Sequence, residues 1–384
     1  MFRTLMTSRW LAPLFWCQFF SAFNDNFVRN MLAMLILFRF GGENASLKIL
    51  LATVVFILPA IPLSALGGEI ADSHDKALIA RRLKFAEILV QMIAAAGFLF
   101  ASPMLLYAAL FGLGIIAALF GPIKYGILPD HLRREELVSA NALVEGATFP
   151  AIIFRLIFGG LAAAEGRSAA SVVAQLMLVA LACYAAARYI PPTGVGAPGL
   201  KVRKNVFVST SAVIRELASD DRQWVGAIGV GWFWTVGAVT LSLVPVIIKS
   251  RIGGDIDVEI AINLFFAVGV AGGSLAAAAL SRGRIGLAPA PFLLLAMAAL
   301  AIDMGLSTQA MPIASREVPL REFFVSAAGL RIAIEIVLYS AAAGLYVVPF
   351  FAAVQAWARE DWRARVVAGV NALSYIGMVG GRWR

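Results

Sequence analysis

The chain has 384 residues, of which 61% are hydrophobic and 14% are charged, and its formal net charge is +9. Soluble domains are typically about half apolar and about one quarter charged, so this composition excludes a water-soluble globule. The basic residues fall in short clusters between apolar stretches, which is typical of membrane topology signals and not of a nucleic-acid surface.

Apolar stretches of about 20 residues, the length that spans a bilayer, follow one another along the chain. The runs between charge clusters predict helices at 10–38, 47–71, 84–101, 104–121, 139–163, 168–190, 224–248, 259–281, 286–306, 329–356 and 366–381. The sequence therefore predicts an all-α integral membrane protein with about 11 transmembrane helices.

The segment between the sixth and seventh predicted helices divides the chain, because it is rich in proline and glycine and carries a basic run at 201–204. We expect an N-terminal six-helix bundle at 1–190, a cytoplasmic linker at 191–223 and a C-terminal bundle at 224–384. Apolar residues within the linker, at 206–218, are compatible with an amphipathic helix on the membrane surface or with a solvated loop helix.

Two further expectations concern topology. Most of the lysines and arginines counted as loop residues, Lys84 and Lys124 among them, fall on the side of the N-terminus, which places that terminus in the cytoplasm. The last apolar stretch is short, and a six-plus-six arrangement would need one more helix. We therefore expect the C-terminal half to be incomplete, through truncation or through the lack of its final element.

Charged residues occur inside three predicted helices, where each costs ~2.5–3.5 kcal/mol or more unless it faces a cavity or a partner. In the first helix, Asp25 and Arg29 are four residues apart and are expected to neutralise each other on one face. This pair either locks the helix to a neighbour or, with Asn26 beside it, forms a polar binding surface. In the tenth helix, Arg331 stands one turn from Glu335, which favours a structural pair.

The fifth predicted helix carries Asn141 and Glu145 one turn apart, with Arg155 deeper in an apolar run. Glu145 can pair with Arg29 or with Lys124. It is then either a structural brace or a site for substrate or proton, and the sequence alone does not separate these alternatives.

The loop predicted after the second helix contains Gly68, Asp72 and Lys76, with Arg81 beyond it. Glycines at a helix end allow a neighbouring helix to approach closely. Asp72 could accept hydrogen bonds at the N-terminus of another helix, whose positive end favours an anion, and so hold one closed conformation. An ordinary charged cytoplasmic loop is the simpler interpretation.

The sequence predicts no catalytic residue, metal site or cofactor. His74 and His131 lie in predicted loops, and an acyltransferase with aspartate five positions after histidine would need it where Ile79 and Glu136 stand. A phosphate-binding loop ending in Gly-Lys-Ser/Thr does not occur in the chain.

Three motifs carry a family resemblance: the first-helix segment 19–26, the segment 121–129 and the segment 141–145. They resemble the lysophospholipid transporter family of the major facilitator superfamily, including members fused to a 2-acylglycerophosphoethanolamine acyltransferase/acyl-carrier-protein synthetase. The segment 68–76 is similar to the cytoplasmic loop motif of that superfamily. The resemblance implies a major facilitator-type helix bundle.

The resemblance also implies a flippase that moves lysophospholipid from the outer to the inner leaflet of a bacterial cytoplasmic membrane. There an acyltransferase, fused or separate, would restore the second acyl chain. By position, the implied substrate-binding residues are Asp25, Asn26, Arg29, Lys124, Asn141 and Glu145. A headgroup phosphate would need cationic donors such as Arg29 or Lys124.

Two alternatives stay open. The first is a proton-coupled exporter of small amphiphiles, in which Asp25 and Glu145 carry protons. The second is a membrane anchor that presents an attached acyltransferase and transports nothing. The expected partners are lysophospholipid, the surrounding membrane lipids and the acyltransferase, with no nucleic acid.

Overall fold

The computed structural model describes residues 2–38, 45–147, 169–310 and 316–380. Within these ranges the chain folds into helices and contains no β-strand, which confirms the all-α prediction. The predicted helix at 139–163 is described only as far as residue 147, and Arg155 lies outside the described residues.

Fifteen α-helices lie in the described part of the chain. The first eight are α1 (Phe2–Thr7), α2 (Ala12–Phe38), α3 (Ala45–Ile57), α4 (Ala60–Ser73), α5 (Lys76–Leu99), α6 (Pro103–His131), α7 (Leu137–Gly146) and α8 (Ala169–Arg188). The others are α9 (Val206–Ala218), α10 (Asp221–Ile247), α11 (Ile256–Ser281), α12 (Ala290–Ala310), α13 (Leu320–Val325), α14 (Ala327–Trp357) and α15 (Arg363–Gly380).

Six spans in the described part are long and apolar enough to cross a membrane. They are Leu47–Ser73, Pro103–His131, Ala169–Arg188, Asp257–Ser281, Ala290–Gln309 and Ala327–Trp357. Length and composition alone therefore place α3 with α4, α6, α8, α11, α12 and α14 across the bilayer.

The second predicted helix is divided, because α3 ends before Pro59 and α4 begins directly after it. Proline has no backbone N–H and its ring clashes with the preceding turn.

The prediction of a loop around Gly68 and Asp72 was wrong, since α4 continues as far as Ser73. A new helix starts at once, where the Asp75 side chain caps the N-terminus of α5.

Two lysines were also assigned wrongly from the sequence. Lys84 was assigned to a cytoplasmic cluster, but it lies inside α5, which begins at Lys76, and its side chain is fully buried. Lys124 was assigned to a connection after the fourth helix, but α6 continues to His131 and includes it. Both lysines are therefore part of the helix bundle and not of its loops.

The elements before and after the linker pack directly on each other. Helices α4 and α6 contact α15, and α7 contacts α11 and α14. Within the N-terminal part, α5 packs on α6 and α8, and α2 packs on α8. Inward-facing polar residues of α2, α5, α6 and α7 are thereby brought towards the middle of the molecule.

Glycines set the approach of α4 to its neighbours. A Cβ atom on Gly68 would lie 2.6 Å from the Ala368 Cβ and 3.0 Å from the Ala364 carbonyl oxygen in α15. A Cβ on Gly67 would lie 3.0 Å from the backbone of Leu119 in α6. Helix α4 therefore lies in backbone contact with both α6 and α15.

The linker contains the helix expected at 206–218, α9, which packs on α4 and α15. Val213 and Leu217 are fully buried, and a Cβ on Gly369 of α15 would lie 3.0 Å from the Leu217 Cδ2. Phe207, at the start of the helix, is 74% exposed. The apolar face of α9 is thus covered by the protein, which a merely solvated loop helix would not show.

Adding a methyl group at Gly68 should destabilise the protein, because the contacted atoms belong to the rigid helix α15. We expect Gly68→Ala to lower the free energy of unfolding by ~1–3 kcal/mol, as overpacking does. In Gly272→Ala, the control in α11, the new Cβ meets nothing within 4 Å, and the better helix propensity of alanine should leave stability unchanged or raise it by up to ~1 kcal/mol. Thermal unfolding of the purified variants measures both. Equal stability of the two variants would contradict the close α4–α15 contact.

Candidate functional site

Charged side chains from several helices meet around Asp25. This residue lies ~20 Å along α2 from its start, at 1.5 Å per residue, which is near the middle of a hydrocarbon core ~30 Å thick. Asp25 is within electrostatic range of Arg29, of Lys84 and Glu87 in α5, and of Lys124 in α6. It therefore faces the interior of the bundle and not the lipid.

Each of the three cations of this cluster lies over an aromatic ring. The distances to the ring centroids are 4.6 Å for Arg29 over Phe56, 3.9 Å for Lys84 over Phe120 and 4.7 Å for Lys124 over Tyr125. Such cation–π contacts contribute ~0.5–2 kcal/mol, more when water is excluded. They stabilise a buried charge without using its hydrogen-bond donors.

The predicted neutralisation of Asp25 by Arg29 within α2 is not formed as an ion pair. No Arg29 nitrogen lies within 4.0 Å of an Asp25 carboxylate oxygen, and the Arg29 guanidinium lies over the ring of Phe56 of α3 instead. Its Nε atom is buried and has no hydrogen-bond partner among the described residues. Asp25 and Arg29 are both partly exposed, so they line accessible space inside the bundle.

Lys84 and Glu87, which were not among the site residues predicted from the sequence, form the best-defined ion pair of the cluster. The Lys84 Nζ lies 2.7 Å from the Glu87 Oε2 and donates a second hydrogen bond of 2.7 Å to the Ser21 hydroxyl of α2. Glu87 lies three residues after Lys84, and Gln91 lies four residues after Glu87. The three side chains therefore share one face of α5. Charges at this spacing inside an apolar helix were the signal that could have revealed the pair.

Several polar atoms beside this pair have no protein partner in the described part of the chain. They are both amide atoms of Asn24, both amide atoms of Gln91 and the Glu87 Oε1. The Asn24 and Gln91 side chains are fully buried. A buried polar group without a partner costs ~1–3 kcal/mol, so these atoms are suited to bind water or polar groups of a ligand.

Glu145 is held by Tyr125, whose hydroxyl donates a hydrogen bond to the Glu145 Oε1. The Tyr125 ring stacks on Phe351 of α14, with centroids 5.0 Å apart. Neither of the partners proposed from the sequence, Arg29 and Lys124, lies within ion-pair distance of Glu145. Lys124 is nevertheless within its electrostatic range, so Glu145 belongs to the charge cluster.

The two asparagines of the predicted site have other partners. Asn141 and Gln355 of α14 form a reciprocal amide pair, with N···O distances of 2.7 and 2.9 Å, and both are buried. Asn26 donates a hydrogen bond of 2.8 Å to the Ala22 carbonyl of its own helix. The structure thus brings together the four charged members of the predicted site, while Asn141 joins α7 to α14.

Asp72 accepts hydrogen bonds at the N-terminus of α15. Its carboxylate receives the backbone N–H groups of Ala364 and Arg365, at 3.0 and 3.1 Å, and the Arg365 Nε at 3.1 Å. The first turn of a helix carries unpaired donors and a positive partial charge, which a carboxylate satisfies. The contact considered from the sequence is therefore formed, and an ordinary charged loop, the simpler interpretation, does not account for it.

Asp130, at the end of α6, extends this contact. Its two carboxylate oxygens bind the Lys76 Nζ at 2.9 Å and the Arg363 Nη1 at 2.7 Å. We call Asp72, Lys76, Asp130, Arg363 and Arg365 the clasp, because together they join α4, α5 and α6 to α15. Arg81, predicted with them, does not take part.

Arg81 and Glu69 fasten the linker. The Arg81 Nη2 donates to the Ile190 carbonyl at 2.7 Å. Glu69, fully buried in α4, binds the Arg203 Nη1 at 2.5 Å and accepts from the Ser209 hydroxyl at 2.8 Å. The linker is therefore bound to the same end of the molecule as the clasp.

The pair expected in the tenth predicted helix is confirmed. The Arg331 Nε lies 2.7 Å from the Glu335 Oε1, and its Nη2 lies 2.6 Å from Asp303 of α12. These residues brace α14 against α12, away from the charge cluster.

The fold matches that of solved membrane transporters. The human organic anion transporter MFSD10 superposes with a TM-score of 0.71 at 12% sequence identity, covering 97% of this chain and 91% of that one. A bacterial homologue of the iron transporter ferroportin, solved in an outward-facing state, gives 0.66 at 15% identity, covering 97% and 91%. The likeness shows a shared fold, the multi-pass helix bundle of these membrane proteins.

The sequence profile of the Major Facilitator Superfamily matches residues 14–381. A lysophospholipid transporter of Salmonella gallinarum, LplT, is 30% identical over 286 residues, which are 72% of this chain and 67% of the relative. The homologue named likewise in Cronobacter sakazakii is 28% identical, over 71% of this chain and 66% of its own length. The chain belongs to the major facilitator superfamily, in the family of the lysophospholipid transporters, as its motifs indicated.

Replacing Asp72 by asparagine should open the clasp. An amide oxygen is neutral and cannot hold the two N–H groups and the guanidinium as a carboxylate does. Spin labels on cysteines at the exposed positions Arg82 and Arg222 report the distance across the clasp end. We expect Asp72→Asn to shift this distance distribution to longer values.

The control for this measurement is Asp75→Asn. Asp75 belongs to the same connection but binds only Leu78, Thr193 and Gly194, none of which lies in α15. This variant should keep the distance distribution of the wild type. Identical distributions in both variants and the wild type would show that Asp72 does not hold the clasp closed.

Proposed function

We propose that this transporter moves lysophospholipid from the outer to the inner leaflet of a bacterial cytoplasmic membrane, for re-acylation by an acyltransferase that is fused or separate. The observation that carries the proposal is the balanced charge cluster in the middle of the bundle. It combines the carboxylates Asp25, Glu87 and Glu145 with the cations Arg29, Lys84 and Lys124. The relatives named as lysophospholipid transporters support it.

A zwitterionic headgroup fits such a cluster. Its phosphate needs cationic donors, and Arg29 and Lys124 retain theirs because aromatic rings stabilise them. Its ammonium needs a carboxylate, and Asp25 is partly exposed without an ion pair among the described residues. Because the cluster is formally neutral, a zwitterion adds no net charge to the low-dielectric interior.

The acyl chain would lie on the C-terminal side of the site. The charged residues of α10 and α15 are confined to their first turns, at Asp221, Arg222, Arg363 and Arg365. The central parts of these helices and of α14 are apolar and aromatic, as at Phe351. A lipid with one chain could therefore place its headgroup on α2, α5 and α6 and its chain on the opposite helices.

We place the N-terminus and the clasp on the cytoplasmic side. Lys84 and Lys124 lie inside helices and are not loop charges, and without them the excess of basic residues stays on the same side. With the clasp closed there, the cluster would be reached from the outer side, where the substrate enters. Segments 1–190 and 224–384 would act as two bundles that rock about the site, with 191–223 as a cytoplasmic linker.

Neutralising Asp25 or Arg29 should remove inward transport. Each substitution deletes one charge-assisted contact to the headgroup, worth ~1.5–3 kcal/mol, so we expect Asp25→Asn and Arg29→Gln to lower the initial rate by at least ~10-fold. The assay follows fluorescent lysophosphatidylethanolamine from the outer to the inner leaflet of proteoliposomes. Asp257→Asn, at an exposed position at the start of α11, should keep the wild-type rate.

The same assay separates the alternatives. A rate that depends on an imposed proton gradient, with outward movement of amphiphiles, would favour the proton-coupled exporter with Asp25 and Glu145 as carriers. If the wild type moved neither lysophospholipid nor other amphiphiles, the membrane anchor would remain, and substitutions at Asp25 would not affect it.

A further inference from the structure

A groove on the C-terminal half lies apart from the charge cluster. It has a volume of about 240 Å³ and runs between α11, α12 and α14. Its apolar lining includes Ala277, Leu280, Leu293, Leu345, Tyr346 and Phe350. Pockets for drug-sized ligands usually measure ~300–1,000 Å³, so this groove accommodates part of a hydrocarbon chain and not a whole lipid.

The groove is apolar along its length and positively charged at one end. Leu293 lies one turn into α12 and Leu345 lies three turns before the end of α14, so the lining reaches into the membrane span. Ser281 and Arg284 line the end where α11 gives way to its following loop. A long apolar wall with a cation at the level of the helix ends matches the shape of a lipid chain below its headgroup.

Arg284 is available to a ligand. Its side chain is exposed, and it forms no ion pair with the described residues. Its backbone lies in a tight turn, in which Arg282 and Gly283 have left-handed backbone angles (φ 45° and 79°) and the Arg284 N–H donates to the Ser281 carbonyl at 2.8 Å. Arg284 therefore lines the groove at its end, and no carboxylate of the described residues lies within ion-pair distance of its guanidinium.

The surroundings of Arg284 favour an anion. A Cβ on Gly283 would lie 3.2 Å from the Glu135 Cβ, so this turn packs against the connection between α6 and α7. The two segments together contribute Arg133, Arg134, Arg282 and Arg284 against Glu135 and Glu136, an excess of positive charge. This connection follows Asp130 directly, which places the basic end of the groove in the leaflet on the side of the clasp.

We propose that the groove binds an anionic phospholipid of that leaflet, with one acyl chain between α11, α12 and α14 and its phosphate on Arg284. The bound lipid is a resident of the membrane and not the transported substrate. The proposal does not depend on the proposed function, because it concerns a separate surface. A lipid held there touches the turn at 281–284, where the C-terminal half meets the connection after α6.

Native mass spectrometry of the purified full chain tests this site. Dioleoylphosphatidylglycerol and dioleoylphosphatidylethanolamine are titrated separately, and the apparent Kd of the first bound lipid is compared between variants. We expect tighter binding of phosphatidylglycerol to the wild type and at least a 10-fold weakening in Arg284→Gln. Leu293→Trp, which fills the groove, should weaken binding of both lipids.

Arg188→Gln is the matched control, because Arg188 is also an exposed arginine, in the last turn of α8, and does not line the groove. It should bind phosphatidylglycerol as the wild type does. An equal loss in Arg188→Gln and Arg284→Gln would show non-specific charge attraction and overturn the proposal. Unchanged binding in Leu293→Trp, or dimers of the chain in place of bound lipid, would overturn it as well.

Discussion

A charge inside the hydrocarbon core of a membrane must find its partner within the protein, because no water is there to solvate it. Helices α2, α5 and α6 each place at least one charged side chain at that depth, and these charges lie within range of one another. The need to compensate them fixes which face of each helix points inward. The resulting cluster is balanced in sign, and aromatic rings support its cations, so the charges stay available to a substrate of mixed charge.

The clasp, at the end of the bundle, also pairs polar groups that would otherwise have no partner. The carboxylate of Asp72 satisfies donors that the first turn of α15 would otherwise leave unpaired, and Gly68 lets the two helices approach closely enough for it to do so. Asp130 adds two cations from different helices. A contact made of hydrogen bonds to a helix end can be broken as one unit, which suits a transporter whose halves must separate and rejoin.

Much of the fold and part of the site could be predicted from the sequence. Hydropathy located the helices, and the motifs around Asp25 and Glu145 marked four charges that the structure brings together. Lys84 was missed because it follows a run of basic residues that also begins the helix, so a buried cation was taken for a loop charge. The pair of Asn141 and Gln355 could not be found, because it joins residues 214 positions apart. The same holds for Cys17 and Cys183, whose sulfur atoms lie 3.9 Å apart.

The central claim is that the charges on α2 line a cavity that receives a lipid headgroup from the outer side. Thiol labelling of Asn26→Cys tests it most directly, because Asn26 is partly exposed beside Asp25, whereas the native cysteines are buried. The account predicts that a membrane-impermeant maleimide added outside labels this position, and that lysophosphatidylethanolamine slows the labelling several-fold while free fatty acid does not. Labelling that is absent, or that proceeds at the same rate with the lipid present, would contradict it.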